Sequence, residues 1–112
     1  MTDDRGTLVV LTTLPSEQEA RAFVRRLVED RVVACGTVLG AVTSIYRWHG
    51  TVEEAAETQV LLKTRRERWN ALVGAARESH PYDVPELLAL PVDAGLPAYL
   101  DWVRTETSAE GA

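Results

Sequence analysis

The residues Ser79 to Glu86 read SHPYDVPE, with one histidine, one tyrosine, two prolines and two carboxylates in a short run. Imidazole and carboxylate are metal-ligating groups. A phenol beside carboxylates at the lip of a pocket can hold a polar ligand. Two prolines with fixed φ make a stiff connector between elements. All three readings are open on the residues themselves.

Few other groups could do chemistry. The chain has 2 histidines, His49 and His80, and 1 cysteine, Cys35. A protein metal centre normally takes about three or four side-chain ligands with outer support. No Cys-x-x-Cys pair and no glycine-rich phosphate loop is present. Cys35 lies among Val and Ala, where it reads as a small buried hydrophobe or as a soft ligand or reactive thiol. No Lys, Arg or His adjoins it in sequence to favour a thiolate,. His49, next to Gly50, reads as an exposed turn residue. Glu57, Gln59 and Lys63 fall on one side of an extended segment. They make either a solvated face or a polar patch of an inter-subunit cleft with Tyr82 and Glu86. No nucleophile, base and orienting group come together, so the chain is not expected to be an enzyme.

These groups must be positioned by regular elements, and the chain signals them well. Leu8 to Leu11 is a short apolar run suited to a strand buried on both faces,. Ser16 and Glu19 form a capping box, and Ala20, Phe23, Val24, Leu27 and Val28 make the apolar stripe of a helix stopping near Asp30,. Val32 to Leu39 reads as a second strand, and Val42 to Trp48 continues it with Ser44, Tyr46 and Trp48 on one side,. His49-Gly50-Thr51 is a turn, and Val52 to Lys63 returns as a long strand. The near end of this hairpin is polar on both faces and should project beyond the helices. Thr64 and Glu67 read as a second capping box, ahead of the stripe Trp69, Leu72, Val73 and Ala76,. That helix ends at or before His80, because Pro81 pushes its predecessor out of the helical region. Leu87 to Leu90 is a last strand, and Pro97 opens a final helix carrying Tyr99, Leu100, Trp102 and Val103,. The polar tail from Thr105 should fray.

The order β-α-β-β-α-β plus a helix predicts an α+β, ferredoxin-like sandwich with two helices on one face of a four-stranded antiparallel sheet. The other face, with Tyr46, Trp48 and the hairpin, is material for a subunit interface. The 112 residues suit a single domain spanning 1–112, with an ordered core of about 7–105,. Its modest core makes oligomerisation a natural way to bury more surface. A net charge of −5 argues against nucleic acid, and Glu67 interrupts the cluster Arg65, Arg66, Arg68,. A lone cysteine excludes a disulfide scaffold. The polar, acidic N-terminus and the lack of any apolar run near the ~20 residues of a span predict a cytoplasmic protein away from membranes.

Five segments together resemble one family. They are SIYRWHG (Ser44 to Gly50), LLKT (Leu61 to Thr64), HPYDVPELLALPV (His80 to Val92), VVACGTVLGAVTSIYRW (Val32 to Trp48) and LVVLTTLP (Leu8 to Pro15). Taken in their order along the chain they are similar to CutA, the divalent-cation tolerance proteins, from about Leu8 to about Val103. The resemblance implies the ferredoxin-like fold and a tight homotrimer with a PII-like architecture. It implies a role in the response to metal ions, copper above all, so Cu2+ or another divalent cation is the expected ligand. The alternative it carries is a PII-like regulatory or adaptor trimer, with a small molecule or partner protein in the inter-subunit cleft. The pocket residues expected on this ground are Tyr46, Trp48, Glu57, Lys63, Tyr82 and Glu86. Some relatives place a cysteine late in the first strand and a His-His pair before Pro-Tyr. Here those positions are Thr12 and Ser79-His80, so His80 is the candidate metal ligand that carries over and Cys35 a weaker one. Hydroxyls in place of two ligands weaken a copper site built that way. A further departure is Thr37, where relatives carry asparagine after Ala-Cys-x.

Overall fold

The structure, a computed structural model, describes residues 6–108. The chain runs β1 (Thr7–Leu14), α1 (Glu17–Glu29), β2 (Cys35–Trp48), β3 (Thr51–Arg65), a 3-10 turn (Arg66–Arg68), α2 (Trp69–Ser79), β4 (Leu88–Pro91) and α3 (Pro97–Glu106). The strands form one sheet in the order β2-β3-β1-β4, antiparallel at every pairing. This is the β-α-β-β-α-β plan with an added helix.

Alternation along β1 decides the layers. Leu8, Val10, Thr12 and Leu14 point to the side where Phe23, Val24 and Leu27 of α1 and Leu72 and Ala76 of α2 complete the core. Gly36 on β2 faces the same helices; a Cβ there would sit 2.6 Å from Val24 Cγ1, so close packing of α1 on the sheet requires glycine. The neighbouring Cys35 therefore points to the opposite face, where its Sγ lies 3.6 Å from the Tyr99 hydroxyl of α3. Beyond α3 that face is open, and Leu88 and Leu90 of β4 are 57% and 51% exposed on it.

The first N-cap forms: Glu19 N–H donates to Ser16 Oγ at 3.2 Å, and that hydroxyl donates to Glu19 Oε2 at 3.0 Å. The second does not. Thr64 stays in β3, fully buried, and its hydroxyl donates to the Val32 carbonyl at 2.8 Å. The chain then makes a 3-10 turn, and α2 starts after Arg68 with no side-chain cap.

Nor is Val32 to Ala34 strand. Arg31 takes a left-handed φ of 59°. Arg31 N–H then bonds Val28 O, and Val32 N–H bonds Leu27 O, which is the Schellman closure of a helix. The tail expected to fray from Thr105 is helical through Glu106. Thr107 is fully buried and held by Arg65 Nε at 2.9 Å; residues 109–112 lie outside the described part. Among the described residues no helix is long and apolar enough to cross a membrane.

Candidate functional site

The hairpin β2–β3 carries the site, and a bulge in it decides which side chains arrive. Up to Val38, β2 pairs so that Cys35 and Thr37 share a face with Lys63 and Leu61. The register then slips between Val38 and Gly40, leaving Leu39 as the extra residue, with Gly40 at φ +117°. A bulge reverses the alternation of everything after it. Ser44, Tyr46 and Trp48 consequently come onto the open face, opposite Ala55, Glu53 and Thr51. An unbroken strand would have sent Ile45 and Arg47 there instead. A two-residue turn at His49 and Gly50, both at positive φ, closes the hairpin,.

The second wall is the connector after α2. His80 ends the helix in extended conformation and turns its ring inward, where it is 8% exposed. The ring packs edge-on to Phe23 at 5.3 Å between centroids. Its Nδ1 accepts the Tyr82 backbone N–H at 3.2 Å. Its Nε2 lies 3.0 Å from the Thr13 carbonyl and 3.4 Å from Thr12 Oγ1. A carbonyl only accepts, so Nε2 carries the proton and the ring is the neutral Nε2–H tautomer. Burial first, against the Thr13 bond and the nearby Glu19 and Glu57 charges, holds His80 below the usual imidazole value,.

Tyr82, placed by that contact, reaches across to β3. Its hydroxyl donates to Glu57 Oε2 at 2.8 Å, and Thr13 Oγ1 donates to the same oxygen at 3.1 Å. Burial works against ionisation of Glu57. Hydrogen bonds from Ser44, Tyr82 and Thr13 outweigh it and hold the carboxyl below its ordinary value,. The Tyr82 phenol is pushed well up by burial and by that carboxylate.

Between the hairpin and the connector lies a cleft of about 640 Å³, walled by Tyr46, Trp48 and Tyr82 with Ile45 and Val84. Among the described residues its charged lining is Glu53, Glu57, Asp83 and Glu86, without a Lys, Arg or His. Of the pocket residues expected from the sequence, Tyr46, Trp48, Glu57, Tyr82 and Glu86 meet here.

Lys63 does not meet them. It sits six positions along β3 from Glu57, about 20 Å at a strand's rise per residue, paired with Cys35 and Val9. Cys35 is also corrected: it is a partly exposed thiol beside Tyr99 rather than a buried hydrophobe. That contact, with burial second, pushes the Tyr99 phenol up to about 12. Ser44, Thr13, Glu53 and Asp83 line the cleft as well and are not among the pocket residues expected from the sequence. A two-residue turn at His49-Gly50 would have exposed one of them, since it pairs Tyr46 with Glu53.

The metal test is chemical. His80 has no free lone pair, because Nδ1 holds Tyr82 and Nε2 is protonated toward Thr13. Cys35 lies on the row of Lys63 and Val9, away from His80 on the helix-covered side. Among the described residues no three His, Cys, Asp or Glu groups converge to hold a metal ion. A tight copper centre built on His80 and Cys35 does not fit this arrangement.

Comparison with known proteins adds the family context. Residues 8–106 match the family model described as CutA1 divalent ion tolerance protein. A divalent-cation tolerance protein CutA from Thermus thermophilus is 46% identical over 99 residues, covering 88% of this chain and 96% of its own. The human protein CutA is 42% identical over 95 residues, 85% of this chain, which spans about half (53%) of the human protein's length. A solved Thermus thermophilus divalent cation tolerance protein superposes with a TM-score of 0.89 at 44% identity, covering 91% of this chain and 99% of that one. The solved CutA from Archaeoglobus fulgidus, 29% identical with a TM-score of 0.87 over 91% of this chain and 99% of its own, is described as periplasmic. Similarity to these proteins therefore assigns no compartment.

Proposed function

The chain belongs to the CutA1 divalent ion tolerance family, and from that premise we propose that it serves divalent-cation tolerance as a homotrimer whose acidic cleft gathers hydrated divalent cations. One observation carries the reading: among the described residues the cleft presents Glu53, Glu57, Asp83 and Glu86 and no positive side chain. Such a lining concentrates cations by its field. Its donors are carboxylates and hydroxyls, which suit harder cations better than the soft ions that thiolate and imidazole select. Without three converging ligands, the ions keep most of their water and bind weakly. His80 contributes as a structural group and not as a ligand. Self-association has independent support in the open sheet face, where Leu88 and Leu90 stand exposed on the edge strand β4, a surface that calls for a partner.

Titration calorimetry with manganese(II) at neutral pH tests the cleft. Glu57→Gln should weaken binding several-fold, whereas His80→Asn should leave it within about twofold, a difference under ~0.4 kcal/mol. Equal binding by wild type and Glu57→Gln, or loss of binding in His80→Asn, would sink the assignment. Light scattering on the eluting protein should report three times the 12.4 kDa chain mass.

A further inference from the structure

We propose that His80 is a positioning residue of the cleft: its neutral ring holds the Tyr82 backbone, and thereby the Tyr82 hydroxyl on Glu57, and a proton taken up on Nδ1 releases both. The geometry is a three-member relay. Thr13 O fixes Nε2 at 3.0 Å, Nδ1 fixes the Tyr82 N–H at 3.2 Å, and Tyr82 O–H fixes Glu57 Oε2 at 2.8 Å. The Nε2 side cannot yield, because its partner belongs to the β1 backbone. When Nδ1 gains a proton from solvent, two N–H groups face each other across a hydrogen-bond distance. The connector must then move, since among the described partners of the ring it alone is not held in a helix or strand. Pro81 between the two residues makes that movement a swing of the whole connector rather than a local twist. Asp83, Val84 and Glu86 line the cleft from this same connector, so the wall moves with Tyr82.

The groups surrounding His80 set when this happens. α1 presents the Phe23 ring at 5.3 Å and the Glu19 charge. β3 presents the Glu57 charge. From β1 come the uncharged Thr12 hydroxyl and Thr13 carbonyl; the connector adds the tilted Tyr82 ring, also at 5.3 Å. α2 meets His80 through its terminal turn, where His80 N–H bonds Ala76 O. The two carboxylates favour the charged ring, burial opposes it, and burial prevails. Uptake therefore waits for mildly acidic solution. For its bearing on cations the inference rests on the reading of the cleft above; the coupling of His80 to Tyr82 does not.

The test is 19F NMR of the full protein made with 3-fluorotyrosine. The 3 tyrosines are Tyr46 and Tyr82 in the cleft and Tyr99 outside it, assigned through Tyr→Phe variants. From about pH 7.5 to about pH 5, the Tyr82 signal should shift with the midpoint of the His80 imidazole 15N signals, and Tyr99 should stay put. His80→Asn keeps an acceptor near the Nδ1 position but cannot titrate, and should lose the Tyr82 shift. His80→Gln keeps a donor toward Thr13 without that acceptor, and should show the acid-form Tyr82 signal already at neutral pH. A flat Tyr82 signal in wild type, a midpoint unlike that of His80, or an unchanged shift in His80→Asn would overturn the proposal. The first two need no His80 variant to fold. Added manganese(II) at neutral pH should broaden Tyr46 and Tyr82; no broadening would sink the cleft as a cation site and leave the coupling standing.

Discussion

Gly40→Ala is the sharpest probe of how the site is assembled. Gly40 sits at φ +117°, and a Cβ added there would meet nothing within 4 Å. Its cost is thus purely conformational. An L side chain in a sparsely populated region at positive φ costs on the order of 1–3 kcal/mol. Stiffening the unfolded chain returns roughly 0.4–1 kcal/mol. The net loss is about 1–2 kcal/mol, or roughly 4–8 °C in Tm for a domain of this length.

Gly74 supplies the control. It lies within α2, and a Cβ there also meets nothing within 4 Å. Alanine in a helix interior is favoured over glycine by roughly 0.5–1 kcal/mol, so Gly74→Ala should raise Tm by roughly 2–4 °C. The same methyl group, added in open space at both positions, is expected to act with opposite signs. Guanidinium and thermal unfolding at one fixed protein concentration measure both. Shifts of the same sign, or a Gly40→Ala protein as stable as wild type, would refute the argument from backbone conformation. A changed dependence on denaturant would mean that the bulge had rearranged instead.

Two further outcomes follow from buried polar groups. His80 titrates below 6.5 in the fold and Glu57 below 4.5. Between the folded and unfolded values the unfolded chain binds more protons. Stability conferred by His80 is complete above about pH 6.5 and lost as pH falls from there, and that of Glu57 is lost below about pH 4.5. Tm against pH should show the upper step in wild type but not in His80→Asn; the same step in both would exclude His80 as its source. Thr64→Val deletes the hydroxyl on Val32 O and leaves that carbonyl bare inside the protein, which should cost about 1–3 kcal/mol in chemical denaturation. A neutral result would mean that the carbonyl finds another donor.

The sequence made the elements legible because their periods differ, two for strands and 3.6 for helices. Most of the cleft was expected from the family resemblance, which implied Tyr46, Trp48, Glu57, Tyr82 and Glu86; the strand pattern by itself left Glu57 open between a solvated face and a cleft with Tyr82 and Glu86. Three features escaped for local reasons. The end of α1 is a left-handed arginine, Arg31, so the glycine that marks such closures was absent and Val32 to Ala34 passed for strand. Thr64 and Glu67 have capping-box spacing, yet a buried carbonyl 32 residues away claims the Thr64 hydroxyl. Lys63 shares its alternation with Glu57, but sharing a face says nothing of distance along the strand. Tyr99, which sets the surroundings of Cys35, lies 64 residues further on, beyond the reach of any local pattern.

Arg65 has a role beyond stability. Thr7, which opens β1, pairs with it directly, and Thr107, just past α3, takes its guanidinium. The two ends of the described chain therefore meet at one residue, at the opposite end of β3 from the His49-Gly50 tip. The molecule is thus suited to circular permutation. A short polar linker can join the ends of the described part beside Arg65, and new ones can be cut at the exposed hairpin tip. In such a chain β2 and β3 are no longer consecutive, and their long ladder must form between distant segments. Comparing how fast it and the parent refold would isolate what the tip contributes to the speed of folding.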